Sequence, residues 1–275
     1  MATPLPDELA RKAKFMLNES PERTAQDIQA VRDQIETRPD IEFTRRDDTF
    51  ILQCLRARKF DIFEAFKLYA NYFEFKQLHP ELFKPLLPTD PSFNALYDGF
   101  PSVLPEADQL GRRIVLLLAY NWETKHYGLL SIFHALLQSV AKLVEDEKVQ
   151  INGLVMLLDW TKFTFKQSTG IHPRVMRLMV HALHECFPVR FEEVHFINQP
   201  WYIEAAFNLV KPFIENDSKN KVYMHGNNLA RLYNHVCQDT LPAELGGSQP
   251  SYHIQPWISF LLGESDVEMC PNGIK

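Results

Sequence analysis

The four cysteines, Cys54, Cys186, Cys237 and Cys270, have no paired spacing. That excludes a disulfide framework or a cysteine-based zinc motif and fits reduced thiols. Long hydrophobic runs are also missing. The greasiest stretch, "WYIEAAFNLVKPFI", follows Pro200 and is cut by Lys211 and Pro212, well short of the roughly 20 apolar residues that a membrane span requires. The opening "MATPLPDELARKAKF" has no apolar core of the secretory type, so a cytoplasmic protein is expected, neither exported nor membrane-inserted. There is no basic excess: 29 Lys and Arg stand against 35 Asp and Glu, a balance that argues against a nucleic-acid partner.

Enzyme signatures are scarce as well. Neither GxGxxG nor GxxxxGK[ST] occurs, and no GxSxG follows an apolar run, which removes the usual nucleotide-dependent and hydrolase chemistries. His181 and His184 in "VHALHECF" lack the HExxH order and a third ligand, so no metal site is expected, and no cofactor. Asp159 closes the run "GLVMLLD". It either serves chemistry at the C-terminal end of a strand, where α/β sites gather, or caps the next turn. No enzyme is expected.

What the chain does have is two kinds of periodicity. Up to about His79 it reads as helices. An amphipathic segment runs from Asp7 to Asn18, Ser20-Pro21 forms a helix start, Asp47 or Asp48 caps "TFILQCLRARKF", and Asp61 caps a further helix with an aromatic side of Phe66, Tyr69, Tyr72 and Phe73. Phe50, Ile51, Cys54 and Leu55 form an apolar face with Arg56 opposite. Arg56, Arg58 and Lys59 crowd that helix's end, either to gather an anion or to complement the helix dipole. The proline-rich "HPELFKPLLPTDPSF" closes the helical part. Beyond it, the apolar runs "RRIVLLLAY", "INGLVMLLD", "EVHFIN" and "KVYMHG" alternate with helical periods, the pattern of parallel β/α units. The fold class is α/β behind an all-helical N-terminal part.

One of those helical periods is unusual. At about 100° per residue, Ile203, Ala206, Phe207, Val210 and Ile214 share one side, and Tyr202, Ala205, Leu209 and Phe213 form a second apolar row beside it. The apolar arc spans roughly 200°, about twice the stripe of a surface helix. Such a helix either sits inside a large core or covers an apolar cavity.

"DDTFILQCLRARKFDIFEAFKLYANY" resembles the helical entry module of CRAL-TRIO lipid-transfer proteins, and "NGLVMLLDWTKFTF", "CFPVRFEEVHFINQPWY", "VKPFI", "MHGNNL" and "LPAELGG" resemble, in order, segments of their lipid-binding domain. The likeness is nearest to the clavesin, retinaldehyde-binding and α-tocopherol-transfer group. It implies a helical N-terminal domain over 1–90, a CRAL-TRIO domain over 91–257 with a mainly parallel sheet, and a tail over 258–275. It further implies a mobile gate helix over an apolar pocket. By that resemblance the pocket residues are Phe133, Leu136, Val140, Leu154, Met156, Leu158, Phe163, Ile171, Met179, Leu183, Phe187, Val194, Phe207, Val210 and Ile214. Trp201, Tyr202, Leu209 and Phe213 would be the membrane-facing side of the gate, and Arg58, Lys67, Arg190, Lys219 and Lys221 the phosphoinositide-binding cations.

Three departures from these relatives bear on the ligand. Leu136 and Val140 stand where the tocopherol protein has serines, and Leu158 stands where the retinaldehyde protein has a pocket glutamate. A pocket without these polar anchors cannot select a hydroxyl through them. Glu192 and Asp217 interleave acids among the cations, which weakens headgroup attraction, since each clustered cation is worth about 1 kcal/mol near an anionic membrane. The function implied is non-enzymatic binding and intermembrane transfer of a small hydrophobic lipid such as tocopherol or a retinoid, with docking on phosphoinositide-containing membranes. The alternative is a clavesin-type phosphoinositide-binding adaptor in endosomal or lysosomal trafficking. Either one would be cytoplasmic, with reversible attachment to endosomal or other intracellular membranes.

Overall fold

The computed structural model describes residues 5–214 and 219–263. Asp217 and Cys270 lie outside them, as does most of the expected tail. Helices α1 (Asp7–Leu17), α2 (Pro21–Asp33), α3 (Asp48–Ala57) and α4 (Ile62–Leu78) lead, followed by α5 (Pro91–Tyr97), strands β1 (Ser102–Val103) and β2 (Arg113–Leu118), α6 (Leu129–Leu143) and α7 (Glu147–Asn152). Then come β3 (Leu154–Asp159), α8 (Phe165–Ser168), α9 (Pro173–His181), β4 (Phe191–Ile197) and α10 (Trp201–Val210). Strand β5 (Val222–Met224), α11 (Leu229–Leu232) and α12 (Gln255–Leu262) complete the described chain.

These elements form two compact units, each discontinuous in sequence. Described residues of Met1–Phe83, Leu143–Gly153 and His181–Arg190 make the helical unit, and the remainder make the sheet unit. In the helical unit, the Asp47 and Asp61 carboxylates accept from Phe50 N and Glu64 N at 3.0 Å, satisfying helix-start donors that would otherwise lack a partner. Ser20 occupies the N-cap position of α2, but its hydroxyl donates to Glu22 at 2.6 Å instead. The core between α2, α3 and α4 is built on Val31, Ile51, Leu55, Tyr69 and Phe73. Cys54 and Cys186 are buried as well, and loss of hydration pushes both thiols up to about 12. They are packing residues, inert as nucleophiles.

Arg56 does not lie on a solvated side. It is 2% exposed, and its guanidinium donates to Glu19 at 2.8 and 2.9 Å, to Glu147 at 2.9 Å and to Gln150 at 2.6 Å. Helical periodicity reads a charged residue as outward facing, whereas here partners at distant positions neutralise it inside. Arg190 adds to the same junction by donating to the carbonyls of Arg56, Gln150 and Ile151 at 2.7–2.9 Å. Two arginines thereby tie the separate chain pieces of this unit together.

The sheet unit carries one five-stranded sheet in the order β1-β2-β3-β4-β5, antiparallel only at the β1–β2 edge. Because β2 to β5 are added in sequence, right-handed crossovers put their connecting helices on one face. The segment after β5 covers the other. Leu232, Val236, Leu241 and Leu245 pack there against Ile114, Leu116, Val155, Leu157 and Ile197. The terminal carboxylate of β3, Asp159, caps its own turn by accepting from Thr161 N at 3.0 Å, Thr161 Oγ1 at 2.7 Å and Asn198 Nδ2 at 3.1 Å.

Removing the Arg56 guanidinium strands two carboxylates. Arg56→Ala is expected to destabilise the helical unit by about 3–5 kcal/mol. Arg56→Met together with Glu19→Leu should recover much of that loss. Denaturant unfolding followed by far-ultraviolet circular dichroism checks both.

Candidate functional site

Register assigns the faces of the sheet. Met156 pairs with Val194, which pairs in turn with Val222, and Leu158 pairs with Phe196, which pairs with Met224, so these side chains and Leu154 share the face opposite the Leu157 side. Strand β4 is an interior strand, and an interior strand of a parallel sheet is ordinarily covered on both faces. Yet Leu158, Val194, Val222 and Met224 are only half-buried. Helix α9 repeats the pattern. It has no buried residue at all, and Val175, Met176, Leu178 and Met179 are all half-buried. Neighbouring protein atoms therefore leave apolar surface partly uncovered on the crossover face.

Helix α10 covers part of this face. Pro200 is its N-cap residue, in an extended conformation, and Pro212 falls in the 3-10 turn Lys211–Phe213 that ends it. Its inner row is Ile203 and Val210, each 2% exposed, with Phe207 against the Phe196 ring at 5.5 Å. The outer row is in water: Trp201, Leu209 and Phe213 are 73%, 64% and 57% exposed. Tyr202 is half-buried because its hydroxyl donates to Phe163 O at 2.6 Å. The helix is thus neither fully buried nor an ordinary surface helix.

The exposed apolar row extends beyond α10 to a residue that periodicity did not single out. Thr164 and Gln167 form a reciprocal capping box on α8, and Gln167 Nε2 donates to the carbonyls of Tyr120 and Trp122. That anchored turn holds Phe165 outward, 64% exposed, with its ring 5.4 Å from Tyr202. The Arg177 guanidinium lies 5.5 Å from the Phe213 ring, within cation–π range. Lys166, Arg174 and Lys211 are exposed on the same elements. Beneath, Trp160 stacks on Phe196 at 6.2 Å, and its buried indole Nε1–H has no hydrogen-bond partner among the described residues.

Other expected pocket residues fall in two places. Phe133, Leu136, Val140, Leu154 and Phe163 are buried in the sheet unit, with Ile171 and Ile214 half-buried there. Leu183 and Phe187 belong to the helical unit, where Phe187 packs on Tyr72 and Phe83 at 5.5 and 5.7 Å. The expected cations are likewise divided. In the helical unit Arg58 donates to His184 O at 2.5 Å, Arg190 holds the three carbonyls, and Lys67 pairs with Glu64 and Glu185 at 3.6 and 3.7 Å. Lys219 and Lys221 lie in the sheet unit, where Lys221 pairs with Glu192 at 3.1 Å.

A family model for the CRAL/TRIO domain matches residues 97–247, which contain the whole sheet. The chain belongs to the CRAL/TRIO domain family. Among its relatives, clavesin-1 of Xenopus laevis is 46% identical over 257 residues, covering 93% of this chain and 77% of that protein. Human clavesin-2 is 45% identical over 259 residues, covering 94% of this chain and 79% of that protein. The crystal structure of Sfh5 superposes with a TM-score of 0.52 over 86% of this chain and 85% of that one at 9% identity, a likeness of fold alone. As a CRAL/TRIO protein the chain falls in a lipid-binding family, and no helix among its described residues is long and apolar enough to cross a membrane.

The two rows of α10 give opposite expectations for this CRAL/TRIO chain. Leu209→Asp with Phe213→Asp should change stability by no more than about 0.5 kcal/mol per site, as at ordinary exposed positions. Ile203→Asp or Val210→Asp should unfold the sheet unit, because each buries an unpaired charge. Thermal unfolding of the purified variants checks the contrast.

Proposed function

We propose that the protein is a non-enzymatic carrier. It binds a small hydrophobic lipid, tocopherol, a retinoid or a similar molecule, between the crossover face of the sheet and α10, and exchanges it between membranes. The observation that carries this reading is the half-buried apolar surface at Leu158, Val194, Val222 and Met224 on the sheet face that α10 meets through Phe207 and Phe196, α10 being a helix whose outer row is also apolar. Apolar walls with few polar groups suit such a ligand. Leu136, Val140 and Leu158 add no polar anchor, and the unpartnered Trp160 Nε1–H supports a ligand that brings one hydrogen-bond acceptor. Trp201, Tyr202, Leu209 and Phe213, together with Phe165, would enter the bilayer as α10 moves aside.

Docking on phosphoinositide-containing membranes is part of the same proposal, as is a cytoplasmic location with reversible attachment to endosomal or other intracellular membranes. Arg58, Lys67, Arg190, Lys219 and Lys221 are the cations offered, and the acidic partners of Lys67 and Lys221 support modest headgroup affinity. A second reading, an adaptor of the clavesin type in which membrane attachment matters more than transfer, is favoured by the 45–46% identity to clavesins.

Transfer of a fluorescent apolar lipid between vesicles tests both readings. Burying the exposed parts of Leu209 and Phe213 contributes on the order of 2–3 kcal/mol, so the double aspartate variant should transfer about tenfold more slowly or worse while staying folded. Unchanged transfer in that folded variant contradicts the gate. Lys67→Glu with Lys221→Glu, chosen because Arg190 is occupied by carbonyls, should weaken sedimentation with phosphoinositide vesicles at low salt, where screening extends to about 30 Å. Tight phosphoinositide binding by wild-type protein without any transfer selects the adaptor.

A further inference from the structure

The face of the sheet away from α10 carries a polar cluster that neither lipid binding nor docking uses. Glu193 and His195 are two apart on β4 and therefore side by side on that face. The segment after α11 lays His235 over them. His235 Nδ1 is 3.0 Å from Glu193 Oε1, and His195 Nε2 is 3.5 Å from Glu193 Oε2. One donor atom from each of the three residues lies within 4.8 Å of the others. His195 is 0% exposed, and its Nε2 has no hydrogen-bond partner among the described residues although it faces into the cluster.

From this geometry we infer that Glu193, His195 and His235 form a binding site for a divalent transition-metal ion of the Zn²⁺ type. A carboxylate with two imidazoles is a zinc-competent donor set, and the borderline nitrogen donors disfavour Ca²⁺ and Mg²⁺. Around a tetrahedral ion with bonds of about 2.0–2.1 Å, donors sit about 3.3 Å apart. Each imidazole already lies near that distance from a different oxygen of the Glu193 carboxylate, His235 Nδ1 at 3.0 Å from Oε1 and His195 Nε2 at 3.5 Å from Oε2. Rotation of the Glu193 carboxylate and of the His235 imidazole, whose side chain is 26% exposed, would bring one oxygen and both nitrogens around a single ion. Water supplies the fourth ligand from that open side.

The surroundings have the form of a supporting layer. His195 Nδ1 lies 2.9 Å from His225 Nε2, which orients the ring and leaves Nε2 for the ion. Arg112 lies 2.9 Å from Glu193 Oε2 and is itself held by Asp108 at 2.6 Å. Gln109 fixes the segment that bears His235 by donating to His235 O at 2.7 Å and accepting from Cys237 N at 2.9 Å. The Arg112 charge opposes a cation, so it sets a moderate affinity. Bound metal would pin the post-β5 segment onto the sheet, a role independent of which lipid the opposite face carries.

Calorimetric titration of the untagged full chain with Zn²⁺, and the visible spectrum of the Co²⁺ form, test the site. The expected result is one equivalent bound, a tetrahedral Co²⁺ spectrum and a raised Tm. His235→Ala should weaken binding at least tenfold, a loss on the order of that caused by removing even an outer-shell partner. His235→Asn, which can keep a hydrogen bond to Glu193, should do the same and guards against a folding defect. His126→Ala, an exposed histidine elsewhere, should bind as wild type. Absence of saturable binding, or binding that survives both His235 variants, overturns the site and leaves the cluster a histidine–carboxylate hydrogen-bond network.

Discussion

A parallel sheet with apolar residues on both sides must be covered on both, and in this protein the two covers differ in kind. The Ile114, Leu116, Val155 and Leu157 side is closed by Leu232, Val236, Leu241 and Leu245, all at 0–1% exposure. The crossover side is closed in part by α10, and interior-strand residues such as Val194 remain half-buried on that side. Sequential strand order is what makes this possible, since it sends every β/α crossover to one face and leaves the other to the chain's C-terminal portion. The apolar surface needed for a hydrophobic ligand and the short helix that screens it follow from that single topology.

The helical unit depends on a different device. Its pieces come from three stretches of chain, and burial of Arg56 among Glu19, Glu147 and Gln150 joins two of them. Arg190 brings in the third through main-chain carbonyls. Buried ion pairs contribute little net stability, but breaking one partner away costs a great deal. Their value here is in specifying which distant segments meet.

Local pattern carried much of this into view. The runs around Val115, Met156 and Phe196 read as strands because apolar β-branched and aromatic residues recur between turn signals, and the caps at Asp47 and Asp61 followed from the residues that precede each helix. The double apolar row of α10 left a core helix and a cover both open, and the resemblance to CRAL-TRIO proteins implied the cover; Leu209 and Phe213 are exposed beside buried Val210. What stayed hidden depends on partners far away in sequence. The two-residue strand β1 is too short for any period, and Arg56 is indistinguishable from a solvated arginine until Glu147 is placed beside it. Glu193, His195 and His235 form no motif by spacing. Only strand register and the return of the chain after β5 bring them together.

The apolar lining, the exposed row of α10 and membership of the CRAL/TRIO family support the proposal that the chain holds an apolar molecule and touches a bilayer. The most direct measurement of that claim is native mass spectrometry of protein recovered without detergent from an animal-cell lysate, followed by release and identification of whatever it retains. A carrier should arrive with one apolar lipid per chain, lost when Val194→Arg places a charge on the crossover face of a still-folded protein. A chain that flies bare, and stays bare after incubation with apolar lipids, would contradict it.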